Sequence, residues 1–341
     1  MTDIERYKED FELSIDESGE FTIGSNFSRF PSEILSEMDE IAYNEQLAEY
    51  IERRKNEFIQ NIYSNFPAPI AYYFYQTEHG YENEHQRLHL LRDTWESIIY
   101  ILYALVFGEV NFKNFSLTDV RVFNNQRIQN NHNGIMSDRI GWKLESIHKI
   151  IQYDLSNNNT LKASEVINID VIEQLKVLNQ DRNSFSHTSA LSPQEAKDRF
   201  NELYPKVKEI LFEFDFLENV SLLRFSNNLE SASHIRFFRF DGHSLQKHNY
   251  DVQYTPEDFT TIMHILNQEN LLIMFDELLF NVKPFISFHT EGAHLKLCFY
   301  KKTERQSNEY LFEIIGGAER EIKEDIGNIN NCINDTLGNL L

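Results

Sequence analysis

Only two cysteines, Cys298 and Cys332, occur in 341 residues. No disulfide framework is implied, and a reducing compartment is the simpler setting. Long apolar runs are also missing. The longest, Ile98 to Phe107, is far short of the roughly 18–20 residues that a membrane span needs, so it reads as a buried helix. The start, Met1-Thr2-Asp3-Ile4-Glu5, lacks the basic-then-apolar layout of a signal peptide. There is no glycine-rich phosphate loop and no G-x-S-x-G elbow, which argues against nucleotide hydrolysis and α/β-hydrolase chemistry. A soluble protein with a cytoplasmic location and no membrane partner is expected.

Positive charge is scarce as well: 32 Lys and Arg against 54 Asp and Glu, a net of −22. Such a balance argues against a polyphosphate partner unless basic residues are concentrated somewhere. The excess is uneven. Residues 1–85 carry 6 basic and 19 acidic side chains, whereas residues 86–230 carry 16 and 19, and residues 231–341 carry 10 and 16. The middle of the chain is therefore nearly balanced and can accommodate RNA, without strong non-specific binding.

What is present is mostly helical pattern, giving way to strand pattern. Residues 1–30 read as a loosely ordered acidic arm or a short strand-like segment. From Pro31 to Ile62, apolar residues recur near a period of 3.6 until Phe66-Pro67-Ala68-Pro69 breaks the run. A strong helix is expected over about 84–106, with Leu88, Leu91, Trp95, Ile98, Ile99 and Leu102 on its apolar stripe and Gly108 as its stop. Further helices are expected over about 135–153, about 168–187 and about 192–215. The last opens with Ser192-Pro193-Gln194-Glu195, a capping box with proline at the first helical position. After about residue 226, Ile235–Phe240 followed by Asp241-Gly242, and Phe285–His289 facing Leu295–Tyr300 across Glu291-Gly292, read as hairpins. Tyr310–Ile315 reads as a strand ended by Gly316-Gly317, and the residues from Ala318 onward as a helix. Three parts are expected: an acidic N-terminal helical region (1–83), a helical bundle (84–226) and a small C-terminal α+β domain (227–341).

Arg182, Asn183 and His187 form an R-N-x-x-x-H string at the end of one helical pattern, just before the Ser192 capping box opens the next. This string resembles the R-x4–6-H signature of the HEPN family (higher eukaryotes and prokaryotes nucleotide-binding domains). The order of helices over roughly 84–225 resembles that family too, in which the motif ends the third core helix. The resemblance implies a mainly α protein with a HEPN-like helical bundle and a small C-terminal α+β domain. It further implies metal-independent RNA cleavage at a site that two copies complete as a homodimer, with no cofactor.

The residues suit that chemistry. A histidine titrates at about pH 6.5, so His187 can take or give a proton near neutrality. Arg182 is always charged, and its planar fork matches phosphate oxygens. Asn183 can orient the histidine or the substrate by hydrogen bonding. The expected products are a 2′,3′-cyclic phosphate and a 5′-hydroxyl. By the same resemblance the protein is expected to be a toxin or anti-phage effector, with an antitoxin or a defence-complex partner. The alternative is a catalytically silent HEPN dimerisation or sensor module. Position 189 is Ser, where relatives silenced by a nucleotidyltransferase antitoxin carry Tyr, so the resemblance does not extend to that control.

The remaining candidates carry less. His85 and His89, four apart on a predicted helix, have no supporting ligand set for zinc, and no metal is expected. His243 beside Gly242 is turn chemistry, and no role is assigned to His289 and His294. Cys298 sits in an apolar strand and reads as core.

Overall fold

The computed structural model describes residues 3–22, 28–122, 135–157, 159–185, 191–231, 234–267, 269–291, 294–304, 309–317, 321–325 and 331. By contacts the chain divides into two compact units, 1–61 and 62–341, where sequence texture suggested boundaries at 83/84 and 226/227.

In the first unit, residues expected to be an arm form helix α1, Asp3–Asp16. Tyr7 and Phe11, one turn apart, are buried, and Phe11 packs edge-on against Tyr43 at 5.6 Å and beside Tyr50 at 5.5 Å. That aromatic packing stabilises a helix that the acidic composition obscured. A two-residue ladder joins β1 (Phe21–Thr22) to β2 (Ser28–Arg29). The helical pattern read from Pro31 to Ile62 is carried by two helices, α2 (Pro31–Met38) and α3 (Glu40–Asn65). The break is at Asp39, whose carboxylate accepts the Ala42 N–H at 3.0 Å and so starts a new helix.

In the second unit α4 (Ala68–His79) packs along α5 (Glu84–Phe112), which is capped by the Asn83 side chain accepting from the Gln86 N–H. Three further helices follow: α6 (Ile140–Asn157), α8 (Ile169–Phe185) and α9 (Pro193–Glu213), with the single-turn α7 (Lys162–Val166) after α6. Helices α4, α6 and α9 each pack on α5, and α8 packs on α6 and α9. Residues 101–110 of α5 are all buried, the mark of a core helix rather than a surface one. Among the described residues α5 alone is long and apolar enough to cross a membrane, and its most apolar stretch is 78% buried within the fold. The expected stop at Gly108 does not occur. The helix runs through it, and a side chain there would meet the Phe280 ring at 2.4 Å, so glycine serves packing rather than termination. The capping box at α9 forms as expected, Ser192 Oγ accepting from the Glu195 N–H and Glu195 accepting from the Ser192 N–H.

The strands build two antiparallel sheets. The first is ordered β5 (Lys247–Gln253), β4 (His234–Phe240), β3 (Val220–Ser231), β6 (Leu272–Phe275) and β7 (Leu278–Asn281). The short helix α10 (Pro256–Ile262) places Ile262 in the apolar cluster of Leu223, Phe225, Ile235 and Phe237. The second sheet is ordered β11 (Glu321–Asp325), β10 (Glu309–Ile314), β9 (His294–Glu304) and β8 (Ile286–Glu291). Both expected hairpins are present, β4 with β5 and β8 with β9. The helix expected from Ala318 is replaced at 321–325 by an edge strand, with Ile322 facing Phe312 and Lys323 facing Leu311. Its charge-rich texture is that of an exposed edge. The chain is thus mainly α with an α+β C-terminal region. Helix α5 touches β7 and β8 directly, which brings both kinds of structure to one place.

Candidate functional site

Helix α8 buries Val171, Ile172, Leu175 and Leu178, and that apolar stripe sets the direction in which its last turn emerges. Arg182 lies in that turn. Its Nε stands 2.5 Å from Glu96 Oε1, with the arginine side chain 33% exposed and the glutamate 17%. Glu96 belongs to α5, one turn after Arg92. Arg92 lies 3.8 Å from the same oxygen and holds Asp93 Oδ1 through Nε and Nη2, at 2.9 and 2.6 Å. Next to Arg182, Asp181 pairs with Arg199 of α9 at 2.8 Å. Two guanidiniums and two carboxylates therefore meet where α5 and α8 come together.

Desolvation raises both acids. Burial pushes the Glu96 carboxyl up to about 6, against the pull of Arg182 and Arg92. Burial also raises Asp93, against the pull of Arg92, Arg182 and Lys301. A carboxyl titrating near 6 beside a permanent cation can change charge close to neutral pH.

Of the three residues singled out in the sequence, Arg182 is placed by this geometry. Asn183 lies on α8, and its side chain is outside the described residues. His187, two residues past the end of α8, also lies outside them. The chain after that segment is tied back to α5, where His85 Nε2–H donates to the Leu191 carbonyl at 2.8 Å. His85 thus fastens a loop. Its neighbour His89 is pushed down to about 4 by burial, with Arg92 and His85 adding to the effect. Among the described residues no group of three or more His, Cys, Asp or Glu could hold a metal. His243 follows Gly242, whose φ is +69°, and lies in a turn; its backbone N–H donates to the Tyr63 carbonyl at 2.9 Å, which ties that turn to α3. Cys298 is buried and its thiol is pushed up to about 12 by that burial, with Glu324 adding. Such a thiol is no nucleophile.

Sequence reading missed Arg92, Asp93 and Glu96. The available signal was three charged positions, Arg92, Asp93 and Glu96, set among the apolar residues Leu90, Leu91, Trp95, Ile98 and Ile99 of α5. It also missed any contribution of the C-terminal sheets. Lys301 and Glu313 pair at 3.5 Å and act electrostatically on Asp93 and on Glu96 respectively. No local pattern reports such a long-range meeting.

The chain matches no family model, no curated protein and no solved structure.

Proposed function

We propose that this chain is a HEPN-type, metal-independent RNA endonuclease, active as a homodimer through its helical bundle. Its setting would be that of a toxin or anti-phage effector, with an antitoxin or defence-complex partner. The observation that carries the reading is the position of Arg182. The arginine of the R-N-x-x-x-H string emerges from the last turn of a half-buried helix into a partly exposed charged cluster, beside a carboxyl pushed up to about 6 by burial. The packing of α5, α6, α8 and α9 in the expected order supports it.

In the proposed reaction His187 takes the proton of a ribose 2′-hydroxyl, and the resulting oxygen attacks the adjacent phosphorus. The bond to the 5′-oxygen breaks, and that oxygen leaves after receiving a proton from the second imidazole of the dimer. Arg182 stabilises the charge that builds on the phosphoryl oxygens, and Glu96 holds the guanidinium in place from its Nε edge. The ends produced are a 2′,3′-cyclic phosphate and a 5′-hydroxyl.

A second reading is favoured by the same ion pair. An arginine paired with a half-buried glutamate is also what a structural role requires, as in a catalytically silent HEPN module for dimerisation or sensing. RNA cleavage in EDTA by wild type, Arg182→Ala and His187→Ala, with end-group analysis and a mass measurement of the oligomer, separates the two. Cyclic-phosphate ends that vanish in both variants, while the dimer persists, establish the enzyme. A folded wild-type dimer that cuts none of several RNAs overturns it in favour of the silent module.

A further inference from the structure

We propose that the C-terminal sheet supplies part of this site. Lys301, carried on a bulge of β9, is a second phosphate-binding cation, and it holds a phosphate neighbouring the one at Arg182. The inference rests on the ribonuclease reading and deepens it. Its substrate is a single-stranded stretch of RNA with phosphates on both sides of the cut.

Several observations converge on Lys301. In the ladder between β9 and β10, Tyr300 faces Phe312 and Lys302 faces Leu311, so Lys301 is the extra residue of a β-bulge. Bulges of this kind re-aim a side chain at the expense of ladder pairing, and they recur beside functional sites. The strand around it is seated on α5: Phe299 stacks on Tyr100 at 4.6 Å with the rings 11° apart, and Tyr100 lies one turn beyond Glu96. Glu313 faces Phe299 across the ladder, so it shares that side. Glu313 acts on Arg92 and Glu96, and Lys301 acts on Asp93.

The result is a balanced cluster in which Arg92, Arg182 and Lys301 stand with Asp93, Glu96 and Glu313. The Lys301 and Glu313 side chains are 42% and 52% exposed. An ion pair that open adds little to folding, about 0–1 kcal/mol. The three carboxylates neutralise three cations in the RNA-free protein, and incoming phosphates replace carboxylates as their partners.

The test uses the full chain carrying His187→Ala, in EDTA, with a fluorescent single-stranded RNA oligomer followed by anisotropy across a salt series. Lys301→Gln is expected to weaken binding several-fold at moderate salt and to reduce the slope of log affinity against log salt by about 0.7, the loss of one phosphate contact. Glu313→Gln is expected to tighten binding. Lys302→Gln, on the same strand but paired in the ladder, is expected to change little. If Lys301→Gln behaves like Lys302→Gln while Arg182→Ala loses binding, the inference fails and the ribonuclease reading stands. If the chain binds no RNA and the wild type cuts none, the ribonuclease reading fails and takes this inference with it.

Discussion

Glu96 sits on a helix whose neighbouring side chains Leu91, Trp95, Ile98 and Ile99 are fully buried. Its surroundings hold its proton more tightly than water would, and Arg182 and Arg92 only partly offset that. The consequence for RNA binding has a definite sign. On the proposed ribonuclease reading, Glu96 is charged above about pH 6 and competes with phosphate for Arg182. Below it the carboxyl is neutral, and the cluster gains one positive charge. RNA affinity of the His187→Ala chain is therefore expected to rise as pH falls through about 6. Adding Glu96→Gln should give the higher affinity at every pH and remove the step. Anisotropy titrations between pH 5 and 8 would show it. A step of unchanged size in the Glu96→Gln chain would assign the titration to another group.

At the scale of elements, Lys143 joins three of them. It rises from α6 and is almost fully buried, with its amine 5.2 and 5.0 Å from the Tyr100 and Tyr103 rings of α5 and 5.7 Å from the Tyr300 ring of β9. The amine also donates to the Ser137 carbonyl. Burial pushes it down to about 7, with Asp138 opposing. A lysine in the unfolded chain keeps its proton up to about pH 10.4. Between roughly pH 7 and 9.5 the unfolded state thus binds more protons than the native state, so stability rises with pH in that window. The gain is on the order of 2 kcal/mol, given the rings that favour the charged form. Urea unfolding at pH 7 and pH 9 should show the rise in wild type and its absence in Lys143→Met. A flat wild-type profile would mean that the amine is solvated. Elements of this sort were only partly legible. The stripe from Leu88 to Leu102 and the capping box at Ser192 are local signals and could be read directly. The last two turns of α5 could not, because Gly108 reads as a helix stop until Phe280 is seen packed against it. Strand β3 begins at Val220, earlier than the change of texture near residue 226, because a short apolar run does not distinguish strand from helix. The partner of Arg182 was beyond reach for a different reason. Glu96 meets it through tertiary packing, which has no period.

For the molecule as a whole, the net charge of −22 sets two electrostatic effects against each other. Locally, each phosphate taken up at the proposed Arg182 and Lys301 positions would make affinity fall with salt. Globally, a strongly acidic protein repels RNA at long range, and salt relieves that repulsion. The acidic excess of residues 1–85 invites the idea of a removable arm that restrains the site. The structure argues against testing this by deletion, because Tyr7 and Phe11 of α1 are part of the core of their own unit. Removing residues 1–30 would expose the aromatic surface around Tyr43. Charge substitution is the cleaner test. Glu45, Glu49 and Glu52 are exposed along one side of α3 and can be changed to glutamine together without disturbing packing. Stopped-flow association of RNA with the His187→Ala chain is expected to speed up as salt rises from about 20 to 150 mM, where the screening length shortens to about 8 Å. Dissociation should quicken as well. In the triple glutamine chain association at low salt should already be faster, and its salt dependence flatter. If association instead slows with salt in the parent chain, the local cations dominate at long range too, and restraint by the acidic N-terminal charge is ruled out.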